Sequence, residues 1–403
     1  EDLLKKGYHF KSTSDTETLL YGFIEYKEAI FNKLNGIFSF AILDRTQQQL
    51  FIVRDQFGIK PLYYYHKDDV FAFGSELKSF KHIKDFDKSL NYIAFLYYLE
   101  LLYAPGEITP YKYVHKLLPA NYIIFSLKEK KFSTYSYFNF QFNENKSLSE
   151  NDCIAMLDKA LTKAVERQLM SDVPIGFFLS GGIDSSLIVA LAKKLTPEKE
   201  IKCFTIDAGN NIEKEGFVND LQYAKKVAQY LGVTLNIVPG DINIIRDFDK
   251  MIYHLDEPQA DPAPLNVLNI SVGAKNDDIK VLLGGTAGDD LFSGYRRHQA
   301  INVEKYIKYL PSFLLKAISA LSKSFNTTTP FIRRLKKVGL ELRYNKKSRL
   351  AGYFTWLSEI EVKSLFNEEI TFPENEEYTG NNIEVILYLL ICFFVLYLPI
   401  LSQ

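Results

Sequence analysis

The sequence predicts an α/β protein: an N-terminal α+β part built on antiparallel sheet, then a doubly wound parallel sheet with a helical C-terminal part. Three observations carry this expectation. Short runs rich in aromatic and β-branched residues ("GIFSFAILD", "QLFIVRD", "KPLYYYH", "VFAFGSE") follow one another at turn spacing in the first third. Farther on, apolar strands alternate with helical stripes, the rhythm of parallel strands covered on both faces. Finally "FFLSGGIDSSLIVALAKK", starting at Phe177, hands a strand over to a helix through two glycines, three serines and a carboxylate.

The four early runs are bounded by Gly, Asp or Lys, and their close spacing suggests one antiparallel sheet. Polar "NFQFNENKSLSENDC" is the best linker candidate and divides the chain into residues 1–145 and 150–403. Beyond it, Ile154, Leu157, Leu161, Val165 and Leu169 recur at three and four, a helical stripe. Strand Pro174–Leu179, helix Asp184–Leu195, strand Ile201–Ile206, helix Leu221–Leu231 and strand Thr234–Val238 follow. A further strand, "IKVLLGG", ends at Gly285. In such sheets ligands sit at the carboxyl ends of the strands, where both Gly-rich stretches fall.

Composition sets outer limits. The 403 residues suffice for two or three domains, and 47% hydrophobic with 24% charged residues is the balance of a folded globular chain. Lys plus Arg (48) offsets Asp plus Glu (49), so no basic surplus points to nucleic acid. Cys153, Cys203 and Cys392 form no CxxC pair, which argues against disulfides and zinc clusters and for a reducing, cytoplasmic location. The apolar run Val385–Leu398 falls short of the roughly 20 residues a membrane span needs. A core helix or a misread terminus is expected there ahead of membrane contact.

The chemistry centres on Ser180-Gly181-Gly182-Ile183-Asp184-Ser185-Ser186. Unpaired N–H groups of a first helical turn, together with the helix dipole, seat an anion. Glycines let the backbone approach it closely, and Ser180, Ser185 and Ser186 add hydroxyls. Asp184 would repel a bare phosphate, so a bridging Mg²⁺ is the natural reason for its presence. The alternative is a glycine turn with Ser and Asp capping the helix. No GxxxxGK[ST] occurs, so this is not a P-loop.

"LSGGIDSS" resembles the pyrophosphate loop of the ATP pyrophosphatases, which cleave ATP between its α- and β-phosphates. "SDTETLLYGF", "LNGIFSFAILD", "RDQFGIKPLYYY" and "FGSELKSF" resemble the glutaminase half of the asparagine synthetases, an Ntn-type domain, in the family's order. "GGTAGDDLFSGY" is similar to that family's second ATP-site loop. The likeness runs from about Leu3 to Tyr295.

By this resemblance the intact enzyme converts aspartate, ATP and Mg²⁺ to an aspartyl-adenylate, and ammonia from glutamine displaces AMP. The resemblance implies that Asp15 holds the glutamine amino group, and that Ser180, Gly181, Gly182, Asp184 and Ser185 grip the pyrophosphate. It further implies that Phe178 and Ile206 line the adenine and ribose, that Gly284 and Gly285 meet the nucleotide, and that Asp184 and Asp289 hold Mg²⁺. Two carboxylates from separate strand ends can bridge such a metal. A homodimer is left open, and small molecules are the expected partners.

Three departures qualify the likeness. Residue 1 is Glu, with no cysteine nucleophile near it, and the glutamine-carboxylate arginine and the oxyanion segment belong upstream, so no glutaminase activity is expected of residues 1–403. Thr286 stands where the family has a catalytic glutamate, so either a neighbouring acid such as Asp290 compensates or the acceptor is not aspartate. Family lysine and aspartate positions after "YLP" are absent, so the chain is expected to be incomplete at both ends. Two alternatives follow: an amidotransferase or β-lactam-synthetase-like ligase for another carboxylic acid, or an inactive remnant. Asp256, Glu257 and Asp261 in "HLDEPQADPAP" form either a wall of the acceptor site or a solvated loop. "YRRH" and "FIRRLKKVG" read as surface.

Overall fold

The computed structural model describes residues 1–139, 147–207, 220–240, 244–259, 263–292, 294–295, 301, 304, 306–307, 309–325, 329–357 and 359–365. The middle of the linker candidate (140–146), the apolar run Val385–Leu398, Asp261 and the basic part of "YRRH" lie outside them. Two compact units emerge: Glu1–Phe95 with Ala104–Asn143, and Leu96–Tyr103 with Glu144–Gln403.

The first unit opens with α1 (Asp2–Lys5) and α2 (Asp15–Tyr26). Ser14 caps α2 by accepting from the Thr16 N–H, and Asp15 and Glu17 suit the positive end of its dipole. Strands β1 (Ser39–Asp44), β2 (Gln49–Arg54), β3 (Tyr63–Lys67), β4 (Val70–Gly74), β5 (Val114–Lys116), β6 (Asn121–Ser126) and β7 (Lys131–Ser136) follow; α3 (Tyr92–Leu101) comes between β4 and β5 in the chain, and from Leu96 onward it belongs to the second unit.

They make two antiparallel sheets rather than the single one expected: β1-β2-β6-β7 and β4-β3-β5. The reason is local. β2 already pairs with β1 on one edge and β6 on the other, so β3 cannot pair with the strand it follows. The turn between them is stitched shut by the fully buried Asp55, which accepts from the N–H groups of Phe57, Ile59 and Lys60, each at 3.0 Å. Arg54 donates to the carbonyls of Gly58 (2.7 Å) and Lys60 (2.9 Å). Strand pairing therefore resumes at Tyr63, three residues later than "KPLYYYH" suggested.

β2 is buried on both faces. Phe51 and Val53 pack with Phe23, Ile30 and Phe31, whereas Ile52 packs with Leu62, Tyr64 and Ile123. This accounts for its unbroken apolar reading.

In the second unit, α4 (Glu150–Gln168) starts with a reciprocal capping box between Ser149 and Asp152. Of its apolar stripe, Leu161, Val165 and Leu169 reach the core, while Ile154 is 58% exposed and Leu157 also faces out. Next come β8 (Ile175–Phe178), α5 (Ile183–Leu195), β9 (Lys202–Asp207), α6 (Leu221–Leu231), β10 (Thr234–Pro239), α7 (Ile244–Leu255), α8 (Ala263–Asn276), β11 (Val281–Leu283) and α9 (Gly288–Leu291).

The sheet runs β10-β9-β8-β11 with every pair parallel. Side-chain alternation covers both faces. Phe177, Leu179 and Cys203 pack under α4, α5 and α6, while Phe178, Phe204, Ile206 and Leu282 pack under α8. The doubly wound arrangement is thus as expected.

Helices Ser312–Ser322, Pro330–Glu341, Lys346–Gly352 and Glu359–Ser364 build the helical C-terminal part. A buried bidentate ion pair joins Arg349 to Glu304, with both N–O distances 2.7 Å, and the Tyr353 hydroxyl donates to the same carboxylate at 3.0 Å. Burial pushes Glu304 upward, but the hydrogen bonds from Arg349 and Tyr353 outweigh it and hold the carboxyl below its ordinary value. "FIRRLKKVG" falls on helix Pro330–Glu341, capped by Thr329. Among the described residues no helix is long and apolar enough to cross a membrane.

Candidate functional site

In the strand order β10-β9-β8-β11 the chain works outward from β8 in one direction and then returns to add β11 on its other side. The two neighbours β8 and β11 therefore flank the reversal point of the sheet. Ligands of open α/β sheets bind in the crevice at that point, beyond the carboxyl ends. The two Gly-rich stretches follow these two strands.

After β8 the Leu179 N–H still pairs with the Phe204 carbonyl at 3.0 Å, and then the chain turns. Gly181 has φ +86°, and a Cβ there would lie 2.5 Å from the Ala224 nitrogen and 2.7 Å from the Tyr223 Cβ. Only glycine lets this turn lie against the start of α6. Ser180 Oγ and Ser185 Oγ are 3.0 Å apart, and the hydroxyls of Ser185 and Ser186 donate to the Gly182 carbonyl at 3.2 and 2.7 Å. Gly182 begins α5 with no side-chain cap, so the first-turn N–H groups keep an open anion seat. The pure capping reading of the motif is therefore not what its serines do.

The second loop closes on the first. A Cβ on Gly285 would sit 2.6 Å from both the Asp184 carbonyl carbon and the Ser185 nitrogen, and one on Gly288 would collide with the Asp184 carboxyl group. A Cβ on Gly284 would touch the Phe178 ring at 3.3 Å, and one on Gly294 would overlap the Asp289 carboxylate. Gly181, Gly284, Gly285, Asp184, Asp289, Ser180, Gly182 and Ser185 are thus gathered in one place. Phe178 and Ile206 share the sheet face below, packed against Phe204, Ile270, Ala274 and Ile279.

Burial and then the neighbouring Asp289 raise the Asp184 carboxyl above its ordinary value. Among the described residues neither acid has an ion-pair partner. Two unneutralised carboxylates near enough to repel each other fit a hard divalent cation, which would remove the repulsion. They are a pair only: among the described residues no group of three or more His, Cys, Asp or Glu is arranged to hold a metal. Thr286 is exposed at the loop, whereas Asp290 is buried at 8% exposure.

Asp15 belongs to the first unit. It lines a cavity of about 540 Å³ with Thr16, Asn35, Gly36, Ser39 and Lys60. Sequence reading passed over Gly288, Gly294 and the Tyr223–Ala224 step. The first two carry a signal, a glycine beside an acid in "AGDD" and beside an aromatic in "SGY", but the third contact crosses 42 residues and leaves none in the sequence.

Fold and site together define a two-unit α/β protein with an anion seat and an acidic pair at the reversal point of a parallel sheet. Family comparison agrees with that class. The asparagine synthase family model matches residues 156–379, and a glutamine amidotransferase domain model matches residues 1–138. The chain belongs to the asparagine synthase family.

It is 34% identical over 323 residues to asparagine synthetase [glutamine-hydrolyzing] 1 of Bacillus subtilis, covering 79% of this chain and 49% of that protein. A putative asparagine synthetase [glutamine-hydrolyzing] 2 of Methanocaldococcus jannaschii is 29% identical, with 77% and 60% covered. Amidase chyE of Penicillium rubens is 26% identical, with 74% and 46% covered. The chain spans about half the length of the curated relatives it matches.

Proposed function

We propose that the second unit binds ATP with Mg²⁺ at the two Gly-rich loops and activates the side-chain carboxylate of aspartate. A carboxylate oxygen attacks the α-phosphorus, the bond to the β-phosphate oxygen breaks, and pyrophosphate departs toward the seat at Ser180–Ser185. Ammonia then attacks the acyl carbon of the aspartyl-adenylate; AMP leaves and asparagine results. Mg²⁺, held by Asp184 and Asp289, would neutralise the departing pyrophosphate. Ser180, Ser185 and the α5 amides orient the phosphates, and Phe178 with Ile206 gives the base an apolar wall.

The observation that carries this reading is the contact of Gly285 and Gly288 with Asp184, which joins both loops into one site at the sheet reversal. The first unit is the glutamine-recognising half, with Asp15 taking the amino group. No cysteine falls within residues 1–145, so residues 1–403 by themselves are expected to use free ammonia and not to hydrolyse glutamine. The reaction is a cytoplasmic one in this reading.

A second reading has specific support: an acceptor acid other than aspartate. Thr286 cannot supply a negative charge, and Asp290 is buried, not exposed beside it. ATP–pyrophosphate exchange with a panel of carboxylic acids tests both. Aspartate-dependent exchange supports the first; exchange with another acid alone supports the second; no exchange and no Mg-ATP binding would refute both.

A further inference from the structure

We propose that the second unit carries a binding site for a free α-amino acid with a branched apolar side chain, at the end of its sheet opposite the Gly-rich loops. A cavity of about 480 Å³ opens there. Its walls are the segments that lead into β8, β9 and β11, so it lies beyond the amino ends of these parallel strands, whereas the Gly-rich loops leave their carboxyl ends. The floor is apolar, made by Leu169, Val173, Ile175, Ile201 and Ile279. A small-molecule site needs such a lining together with a few charged groups that fix orientation.

The charges at the cavity are sorted by sign. Lys199 and Lys202 come from the connection that runs from α5 into β9, and Asp277 and Asp278 from the connection between α8 and β11. Because β8 lies between β9 and β11, the two groups stand two strand spacings apart, about 9.5 Å. Among the described residues none of the four forms an ion pair. Glu200, the remaining charged residue of the lining, is already engaged and accepts from the Thr234 hydroxyl at 3.0 Å. Two charge-assisted contacts of about 2.8 Å each would leave about 4 Å to span. That is the scale of the ammonium and carboxylate of one amino acid, and a dipeptide would add roughly 3.4 Å more. Cations on one wall and anions on the other are the charge complement of a zwitterion.

The two acids stand where folding alone would not favour them. α8 ends at Asn276, and the negative end of its dipole meets two further negative charges. The turn itself is made by backbone: Asp278 has φ +61°, and the N–H groups of Asp277 and Ile279 donate to the Ala274 carbonyl, each at 3.0 Å. Asparagine suits the left-handed conformation as well as aspartate does and brings no charge. A bound ammonium offsets the repulsion that the acids otherwise add.

The test is an NMR titration of the full 403-residue chain with three probes. They are L-leucine, 4-methylpentanoate (leucine without its ammonium) and 3-methylbutylamine (leucine without its carboxylate). L-Leucine should bind at least about tenfold more tightly than either fragment, since each lacks one charged contact. Lys199→Ala combined with Lys202→Ala should weaken L-leucine by a similar factor, and so should Asp277→Asn combined with Asp278→Asn. The aspartate pair should meanwhile unfold at an equal or higher temperature, a result that a purely structural role for these acids would not give. No binding of L-leucine, a fragment that binds as tightly as L-leucine, or L-leucine binding that either pair of substitutions leaves unchanged would overturn the assignment.

Discussion

Replacing Gly285 by Ala is the sharpest probe of the site, because the structure says what the methyl group would meet. Gly285 does not occupy the left-handed region, so its backbone conformation would suit alanine. Space is the obstacle. The new Cβ would lie 2.6 Å from the Asp184 carbonyl carbon and the Ser185 nitrogen. That is about 1 Å inside an ordinary carbon contact of roughly 3.5–4.0 Å.

Both atoms are backbone of the first turn of α5, so neither can swing aside as a side chain would. Overpacking of this kind costs about 1–3 kcal/mol, and each kcal/mol lowers the unfolding temperature of a unit this size by about 2–4 °C. The two loops must separate by a similar distance of about 1 Å, and misplacement on that scale lowers rates on the order of 10²-fold. Differential scanning fluorimetry and ATP–pyrophosphate exchange read the two effects.

Gly284→Ala is the paired control. Its tightest contact would be the edge of the Phe178 ring at 3.3 Å, and a ring can tilt, while Thr286 Oγ1 at 3.6 Å is an ordinary contact. The reasoning is refuted if Gly285→Ala unfolds at the wild-type temperature with full exchange activity, or if Gly284→Ala is equally damaging.

Further outcomes follow from the same structure. Asp184→Asn should abolish the Mg²⁺ dependence of ATP binding in a calorimetric titration, yet leave the unfolding temperature equal or higher, because it removes a charge that burial and Asp289 disfavour. Arg349→Met should cost about 3–5 kcal/mol in urea unfolding by leaving Glu304 buried without its cation; adding Glu304→Gln should recover much of that loss. Burial and the nearby His66 hold His115 below its ordinary 6.5, with Tyr64 stacked on it at 5.3 Å and Glu107 nearby. Since the folded pKa is the lower one, the first unit should lose stability as pH falls below about 6.5 toward the folded value. His115→Gln should flatten that slope in urea titrations at a series of pH values.

Much of the second unit was legible because its signals are local. The strand β8, the helix α5 and the turn between them are contiguous, and a glycine followed by serines and an acid can be read for what it offers an anion. β2 was equally readable as a strand, but not as an interior strand after which the chain leaves for a second sheet: "RDQFGIKP" gives no hint that Asp55 turns inward to collect three N–H groups. The stripe on α4 was correct in period and only half correct in burial, since periodicity tells which residues share a face but not how far a partner extends along it.

By itself the sequence determined the elements, the residue types at each strand end and the resemblance to a family. These depend on neighbours a few positions apart, where backbone sterics and hydrogen-bonding capacity act directly. Tertiary structure alone decided that β11 returns to the far side of β8, and so that Gly285 and Gly288 rest on Asp184 and set Asp289 near it. Strand order is fixed by which apolar faces can be buried together, a property of the whole sheet and its helices. The distance between two acids about a hundred residues apart in the chain follows from that order.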